Sequence, residues 1–359
     1  MKGLIAAGGK GTRLRPITYS LNKHLFPLAG KPLLQHAIEK MAAAGITDIA
    51  INVNPGEAEI QKVLGDGSQF GVHLTYLEQE GGPRGVGHIV MNAKEWIGNE
   101  PFIFYLGDNV TLGPLTDLVA KFERERLDCL LALSRMPNLS QFGVPEIKDG
   151  RIVRVVEKPK DPPSPFAVTG IYLYRPCVFE ASERIVPSAR GEYEISDIHT
   201  ELINQGRNVG FEEVTGWWRD TGTPEDLLET NKLLLEQMTQ PEISPDAVIE
   251  PGAVIEGLVS IGAGTRVSSN SVIRGPVLIG ERCIVQNSQI DPGVSIGSGV
   301  SLDGIHLERS LVMDQATLRG AGTIKNSIIG RSSRVSFTRN GSPDHVATFL
   351  LGDHGVVEW

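Results

Sequence analysis

Up to Gln237 the chain alternates short apolar runs with stretches whose apolar residues return every three or four positions. Leu4-Ile5-Ala6-Ala7, Asp48 to Val53, His73 to Leu77, Pro101 to Leu106 and Asp128 to Ser134 read as strands. Leu34, Ala37, Ile38, Met41 and Ala42 fall at i, i+3, i+4, i+7 and i+8, one face of a helix that Gly45 stops. Helices are also expected near Glu57 to Leu64, over Gly85 to Ile97 and over Pro114 to Arg126. Strands alternating with helices predict an α/β domain with a mostly parallel sheet covered on both faces. From Gly143 to Tyr174 the pattern turns β-rich, and helices then return before and after a strand at Val209 to Val214. Thr223 reads as an N-cap with Pro224 at the first helical position and Glu225 and Asp226 in the first turn.

After Pro241 the period changes. Ile243, Ile249, Ile255, Ile261, Val267, Ile273, Ile279 and Val285 recur every six residues. A five-residue step leads to Ile290, Ile296 and Leu302, and the register returns at Val312, Leu318 and Ile324, then at Ile329 and Val335. A fixed period of six, with three flat faces to a coil, predicts a hexapeptide-repeat solenoid resembling a left-handed parallel β-helix. A β-sandwich would alternate at period two. The expected division is therefore 1–237, an α/β domain; 243–335, the solenoid; and 336–359, a tail without repeat that caps the open coil.

Composition narrows the function. The chain has 359 residues, 40% of them hydrophobic and 21% charged, as in ordinary globular proteins. Its net charge of −9 argues against nucleic-acid or anionic-membrane partners, so cations that meet a phosphate must be local. Cys129, Cys177 and Cys283 form neither a metal spacing nor a disulfide framework, which suits the reducing cytoplasm. No apolar run is long enough to span a membrane, and Gly8 and Lys10 interrupt the N-terminal one too soon for a signal peptide.

Such a cluster of cations follows the first strand. Gly8, Gly9 and Gly11 allow a tight turn that brings backbone N–H groups against an anion, and Lys10, Arg13, Arg15 and Lys23 add positive charge. A P-loop would need a hydroxyl where Gly11 stands, and the dinucleotide fingerprint a glycine where Leu14 stands. Asp108, in Leu106-Gly107-Asp108-Asn109, falls just after an apolar strand, as do Gly8 and Gln79, so the three can converge at the carboxyl edge of the sheet. The Gln79 amide offers a donor and an acceptor together, which matches the imide edge of a pyrimidine.

The arrangement GGxGTRLxPxT, then Lys23, then Lys31-Pro32, resembles the opening of the sugar-1-phosphate nucleotidylyltransferases. It is most similar to the long form of the glucose-1-phosphate thymidylyltransferases, and the likeness covers essentially the whole chain. This resemblance implies a Rossmann-like catalytic domain and transfer of a nucleotidyl group from dTTP to glucose 1-phosphate. It implies Mg2+ held by Asp108 of LGDN and Asp220 of WRDTGT, with Arg13, Lys23 and Lys158 as catalytic cations. Gly8, Gly9, Gly11, Thr12, Arg13, Gln79, Gly85 and Asp108 would meet the nucleotide. Gly143, Glu157 and Lys158 of EKP, Gly170, and Glu192 of RGEYEISD would meet the sugar phosphate. Val86 and Gly87 stand where the family's base loop has Leu-Ala. The resemblance also implies a homo-oligomer, with the solenoid serving assembly or stability. Every one of these residues precedes Gln237, so a fragment ending there is expected to hold the whole site.

Other readings remain at this point. A UTP-dependent uridylyltransferase would share the same motifs. Hexad solenoids also carry acetyl transfer, which needs a histidine base, and His306 alone lies within the solenoid register. A non-catalytic regulatory subunit would not need Arg13, Lys23, Asp108, Lys158 and Asp220 together.

Overall fold

The structure, a computed structural model, describes residues 1–337 and 346–359. It divides into two compact units, one of residues 1–9 and 34–220, the other of residues 10–33 and 221–359.

The first unit is built on a seven-stranded sheet. Its order is Val209–Glu213, Cys129–Arg135, Phe166–Tyr174, Phe102–Leu106, Lys2–Ala6, Asp48–Val53 and His73–Glu78. Only Phe166–Tyr174 runs antiparallel to its neighbours. The remaining pairings are parallel. The five inner strands are largely apolar because both faces are covered, whereas the edge strands Val209–Glu213 and His73–Glu78 are partly exposed. Leu4, Phe102, Phe104, Leu131 and Tyr174 pack in one core with Val90, Ile97, Phe179, Ile198 and Leu202 from the helices. The helix expected over Gly85 to Ile97 is two pieces, Val86–Asn92 and Lys94–Ile97. Two small antiparallel pairs stand apart from the main sheet, Gly143–Lys148 with Arg151–Glu157, and Asn109–Thr111 with Trp218–Asp220. The parallel strands end on the side where Gly8, Gln79 and Asp108 follow them.

The second unit contains a parallel solenoid. Its strands stack in three ladders whose inward residues form three columns. One column runs Ile243, Ile261, Ile279, Ile296, Val312, Ile329, Leu351. The next runs Ile249, Val267, Val285, Leu302, Leu318, Val335, Val357. The third runs Ile255, Ile273, Ile290, Leu307, Ile324, Ala347. The hexad register is thus the register of the core, and it continues past Val335. The tail was expected to lack the repeat, yet Val346–Ala347, Leu350–Leu351 and Val356–Glu358 each add a strand to a ladder. The part of that expectation covering 338–345 lies outside the described residues.

Corners of the coil have a local cause. Asn287, Arg309 and Asn326 take left-handed backbone angles, with φ of 49, 40 and 48°. Each is followed by a buried serine. Ser288, Ser310 and Ser327 donate to the carbonyl two residues back, at 2.6 to 2.8 Å. Each hydroxyl also accepts an N–H from the coil above. At these three corners the serine hydroxyl satisfies one carbonyl and one N–H that the tight turn would otherwise strand.

Residues 10–33 form three short 3-10 turns, Thr12–Leu14, Ile17–Tyr19 and Lys23–Leu25, and a hairpin pairing Pro27–Leu28 with Lys31–Pro32. The helix Pro224–Leu235 belongs to the same unit. Thr223 is its N-cap, as the sequence predicts, and Asp226 caps it in return. No described helix is long and apolar enough to cross a membrane.

Candidate active site

In the first unit, a cavity beyond the strand ends is lined by Asp108, Asp220, Glu157, Lys158, Gly143 and Gly170, among others. Asp108 follows Phe102–Leu106 through Gly107, whose N–H donates to the Ala6 carbonyl at 2.9 Å. A Cβ on Gly107 would lie 2.7 Å from that carbonyl oxygen, so only glycine lets the turn pass there. Asp220 ends the strand Trp218–Asp220 and stands directly opposite Asn109 in the antiparallel register. The two carboxylates therefore come from the start of one strand and the end of its partner.

Asn109 holds this corner together. It is buried, and its Oδ1 accepts from Trp218 Nε1 at 2.7 Å and from the Gly170 N–H at 3.3 Å. Its Nδ2 donates to Asp108 Oδ1 at 2.8 Å. Gly170 lies where the strand Phe166–Tyr174 slips register against its neighbour. A Cβ there would come within 2.7 Å of Leu106 and 2.9 Å of Asn109. The bulge and the glycine together admit the amide.

Glu157 and Lys158 close the strand Arg151–Glu157. Ser196 donates to Glu157 Oε2 at 2.6 Å, and Arg190 lies 3.7 Å from Oε1. Lys158 has a left-handed φ of 45°, and its N–H donates to the Phe142 carbonyl at 3.0 Å. Gly143 sits beside the same carboxylate: a Cβ there would be 3.0 Å from Ser196 Oγ. Glu192 is half-exposed and lies 3.7 Å from Arg190. Its neighbour Glu194 is the buried acid of that stretch, accepting from Arg190 and from Ser188 Oγ.

Gln79 is buried at the end of His73–Glu78, with its Nε2 3.0 Å from His88 Nδ1. Burial first, and then the Arg84 charge, lower the His88 pKa, which favours a neutral ring able to accept from the amide. Gly8 lies alongside: its carbonyl accepts from Asn54 Nδ2, and a Cβ on it would stand 3.8 Å from Gln79 Oε1. The loop Arg84 to Gly87 is bonded to Tyr193, which donates to the Arg84 carbonyl and accepts from the Gly87 N–H. A Cβ on Gly85 or Gly87 would lie within 2.8 Å of the Tyr193 carbonyl oxygen. That contact accounts for glycine at position 87.

In the second unit, Gly9 having closed the first, Gly11 has a left-handed φ of 58° and its carbonyl accepts from Thr18 Oγ1 at 2.7 Å. Thr12 and Arg13 are exposed, whereas Lys23 is buried. The Arg13 guanidinium lies against Gly222, where a Cβ would be 2.8 Å from Nη2. The glycine of the Asp-Thr-Gly-Thr stretch is thus the surface on which Arg13 rests. His306, on the solenoid, lies 2.7 Å from Asp291 Oδ2 and 3.6 Å from Glu308.

Sequence reasoning passed over Asn109, His88, Ser196 and His199. Asn109 and His88 adjoin residues that were singled out, but nothing in their spacing shows which way they turn. His199 lines the same cavity, fully buried, with Nε2 2.6 Å from the Tyr174 hydroxyl. For a divalent ion, Asp108 and Asp220 offer two hard oxygen donors in one cavity, and this donor set fits.

Known proteins resemble this chain along its whole length. The family described as nucleotidyl transferase matches residues 2–237. A glucose-1-phosphate thymidylyltransferase of Streptomyces antibioticus is 39% identical, over all of this chain and 99% of its own. The low-salt glycan biosynthesis nucleotidyltransferase Agl11 of Haloferax volcanii is 37% identical over 96% of both chains. The crystal structure of a UDP-glucose pyrophosphorylase complexed with UDP-glucose superposes with a TM-score of 0.58 at 26% identity, covering 66% of this chain and 98% of its own. With its sheet, its strand-end cavity and a match running from the first strand to the end of the capped helix, this chain belongs to the nucleotidyl transferase family.

Proposed function

We propose that the chain transfers a thymidylyl group from dTTP to glucose 1-phosphate, giving dTDP-glucose and pyrophosphate. The observation that carries this reading is the single cavity shared by Asp108, Asp220, Glu157 and Lys158. It supplies a carboxylate pair for a metal beside a carboxylate and an ammonium suited to a sugar phosphate. Full-length identity to a thymidylyltransferase supports the choice of substrates.

An oxygen of the sugar phosphate attacks the α-phosphorus in line, and the bond to pyrophosphate breaks. The nucleophile is already anionic near pH 7, so no general base is required, and catalysis is positioning and neutralisation of charge. Lys158 orients the attacking phosphate. Glu157, fixed through one oxygen by Ser196, accepts from sugar hydroxyls with the other. Gly143, Gly170 and Glu192 complete the sugar site. Backbone N–H groups around Gly8, Gly9, Gly11 and Thr12 meet the triphosphate, and Arg13 and Lys23 stabilise charge on the α-phosphate and the leaving group. Gln79 reads the O4 and N3–H edge of the base, and Gly85 lets backbone groups approach it. Nucleotidyltransferases of this family typically use a divalent metal. We assign Mg2+ to Asp108 and Asp220, where it would neutralise charge on substrate oxygens.

Thymine and uracil share the edge that Gln79 reads, so UTP is the second reading. The test is pyrophosphate release from dTTP, UTP, ATP and CTP, each with glucose, galactose, mannose and N-acetylglucosamine 1-phosphates. The expected outcome is the highest kcat/KM for dTTP with glucose 1-phosphate. A UTP preference would select the second reading, and turnover of ATP or CTP at a comparable rate would overturn both.

A further inference from the structure

Residues 10–33, which carry Gly11, Arg13 and Lys23, are held by the solenoid and its capped helix. Two attachments stand out. At the first, Asn231 of the helix Pro224–Leu235 is fully buried. Its Oδ1 accepts from the Ala29 N–H at 2.9 Å and from Ser295 Oγ at 2.8 Å, and its Nδ2 donates to the Gly293 carbonyl at 3.2 Å. One amide thus bonds the hairpin turn, the helix and two points of a solenoid coil. The turn it grips is Ala29-Gly30, both with left-handed backbone angles, φ 46 and 79°. Gly30 packs onto Leu278, 3.1 Å from where its Cβ would be. An alanine at positive φ needs outside support, and the buried amide supplies it.

At the second attachment, Ser20 donates from Oγ to Asp353 Oδ2 at 2.9 Å, and its carbonyl accepts from Arg331 Nη2 at 3.1 Å. Arg331 in turn grips Asp353 through Nε, Nη2 and its backbone N–H, at 2.7 to 2.9 Å. The two attachments straddle Lys23. No residue of either is a candidate to touch substrate.

We infer that Asn231 and the Arg331–Asp353 pair are positioning residues, through which the solenoid sets the placement of the segment bearing Arg13 and Lys23. The inference rests on the proposed roles of those two cations. Misplacement of a catalytic group by about 1 Å can cost on the order of a hundredfold in rate. The sugar-phosphate residues Gly143, Glu157, Lys158 and Gly170 lie in the other unit and make neither attachment.

The experiment compares the full chain with Asn231→Ala and Asp353→Asn. Two readouts are taken, hydrogen exchange at amides 14–33 and steady-state kinetics. In Asn231→Ala and Asp353→Asn the amides of Leu14, Leu25, Phe26 and Leu33, bonded within the segment, exchange at least about tenfold faster, while solenoid amides near Ile279 do not change. kcat falls about tenfold or more with KM for the sugar 1-phosphate held within about twofold. Unchanged exchange in the segment, or loss of protection throughout the solenoid, overturns the inference. Faster exchange in a chain that turns over no triphosphate overturns the proposed function and leaves the tether standing.

Discussion

The indole N–H of Trp218 donates to Oδ1 of Asn109 at 2.7 Å, across 109 residues of chain. The same amide faces Asp108 with its other end. A side chain that sequence patterns pass over therefore fixes both the strand bearing Asp220 and the orientation of Asp108. Asn109→Leu strands the Trp218 N–H and the Gly170 N–H in a buried site, each costing about 1–3 kcal/mol. The expected result in urea unfolding is a clear drop in midpoint with unchanged slope. An unchanged midpoint would show that the bond contributes nothing to the fold.

Asp108→Asn and Asp220→Asn keep shape and lose charge. Each is expected to reduce Mg-dependent turnover by about a hundredfold to a thousandfold, the scale seen when a charge-stabilising group is removed. Thermal melting should stay within a few degrees of the parent. A variant that turns over at near-parental rates takes that residue out of the metal site.

Gln79→Ala removes one donor and one acceptor from the proposed base site, where the amide is buried. Leaving the base edge unpaired costs about 1–3 kcal/mol, so kcat/KM for dTTP and UTP should fall about tenfold or more. ATP and CTP, whose exocyclic amines do not match the amide, should be affected far less. A base ratio that survives the substitution would remove Gln79 from recognition.

His199 makes the stability of the first unit depend on acid. Burial pushes its pKa from 6.5 down to about 3. Below pH 6.5 the unfolded chain takes up a proton that the folded one refuses until about pH 3, so stability is full above that window and falls as pH drops through it. The slope from this one group is about 1.4 kcal/mol per pH unit. Denaturation series from pH 7 to 4.5 should show it, and His199→Gln should flatten it. An equal slope in both proteins would place the acid sensitivity elsewhere.

Periodic features were legible in the sequence, and relationships between distant side chains were not. The six-residue register from Ile249 to Val335 lies in the core of the solenoid or packs against it, because each coil repeats the same inward position, while Ile243 at its start is exposed. It missed Leu307, Ala347, Leu351 and Val357, since altered step lengths there break the count. The alternation of strands and helices gave the sheet, because burial on both faces leaves near-unbroken apolar runs. Glycines could be found but not ranked. Gly107, Gly170 and Gly222 matter because of what presses on them, and the pressing groups are Ala6, Leu106 and Arg13. Least visible was the allegiance of residues 10–33, which follow the first strand in sequence but cluster with 221–359. A fragment ending at Gln237 keeps the motif and loses Ser295, Arg331 and Asp353.

The bond from Ser20 to Asp353 spans 333 residues, and that from Arg331 to the Ser20 carbonyl spans 311. During synthesis, therefore, the segment bearing Arg13 and Lys23 leaves the ribosome well before the solenoid and acquires its second anchor only after the last described coil has emerged. Contacts of such range close slowly. The seven-stranded sheet can be complete while residues 10–33 still lack this anchor, so it is the last described coil, and not the sheet, that finishes the folding of that segment.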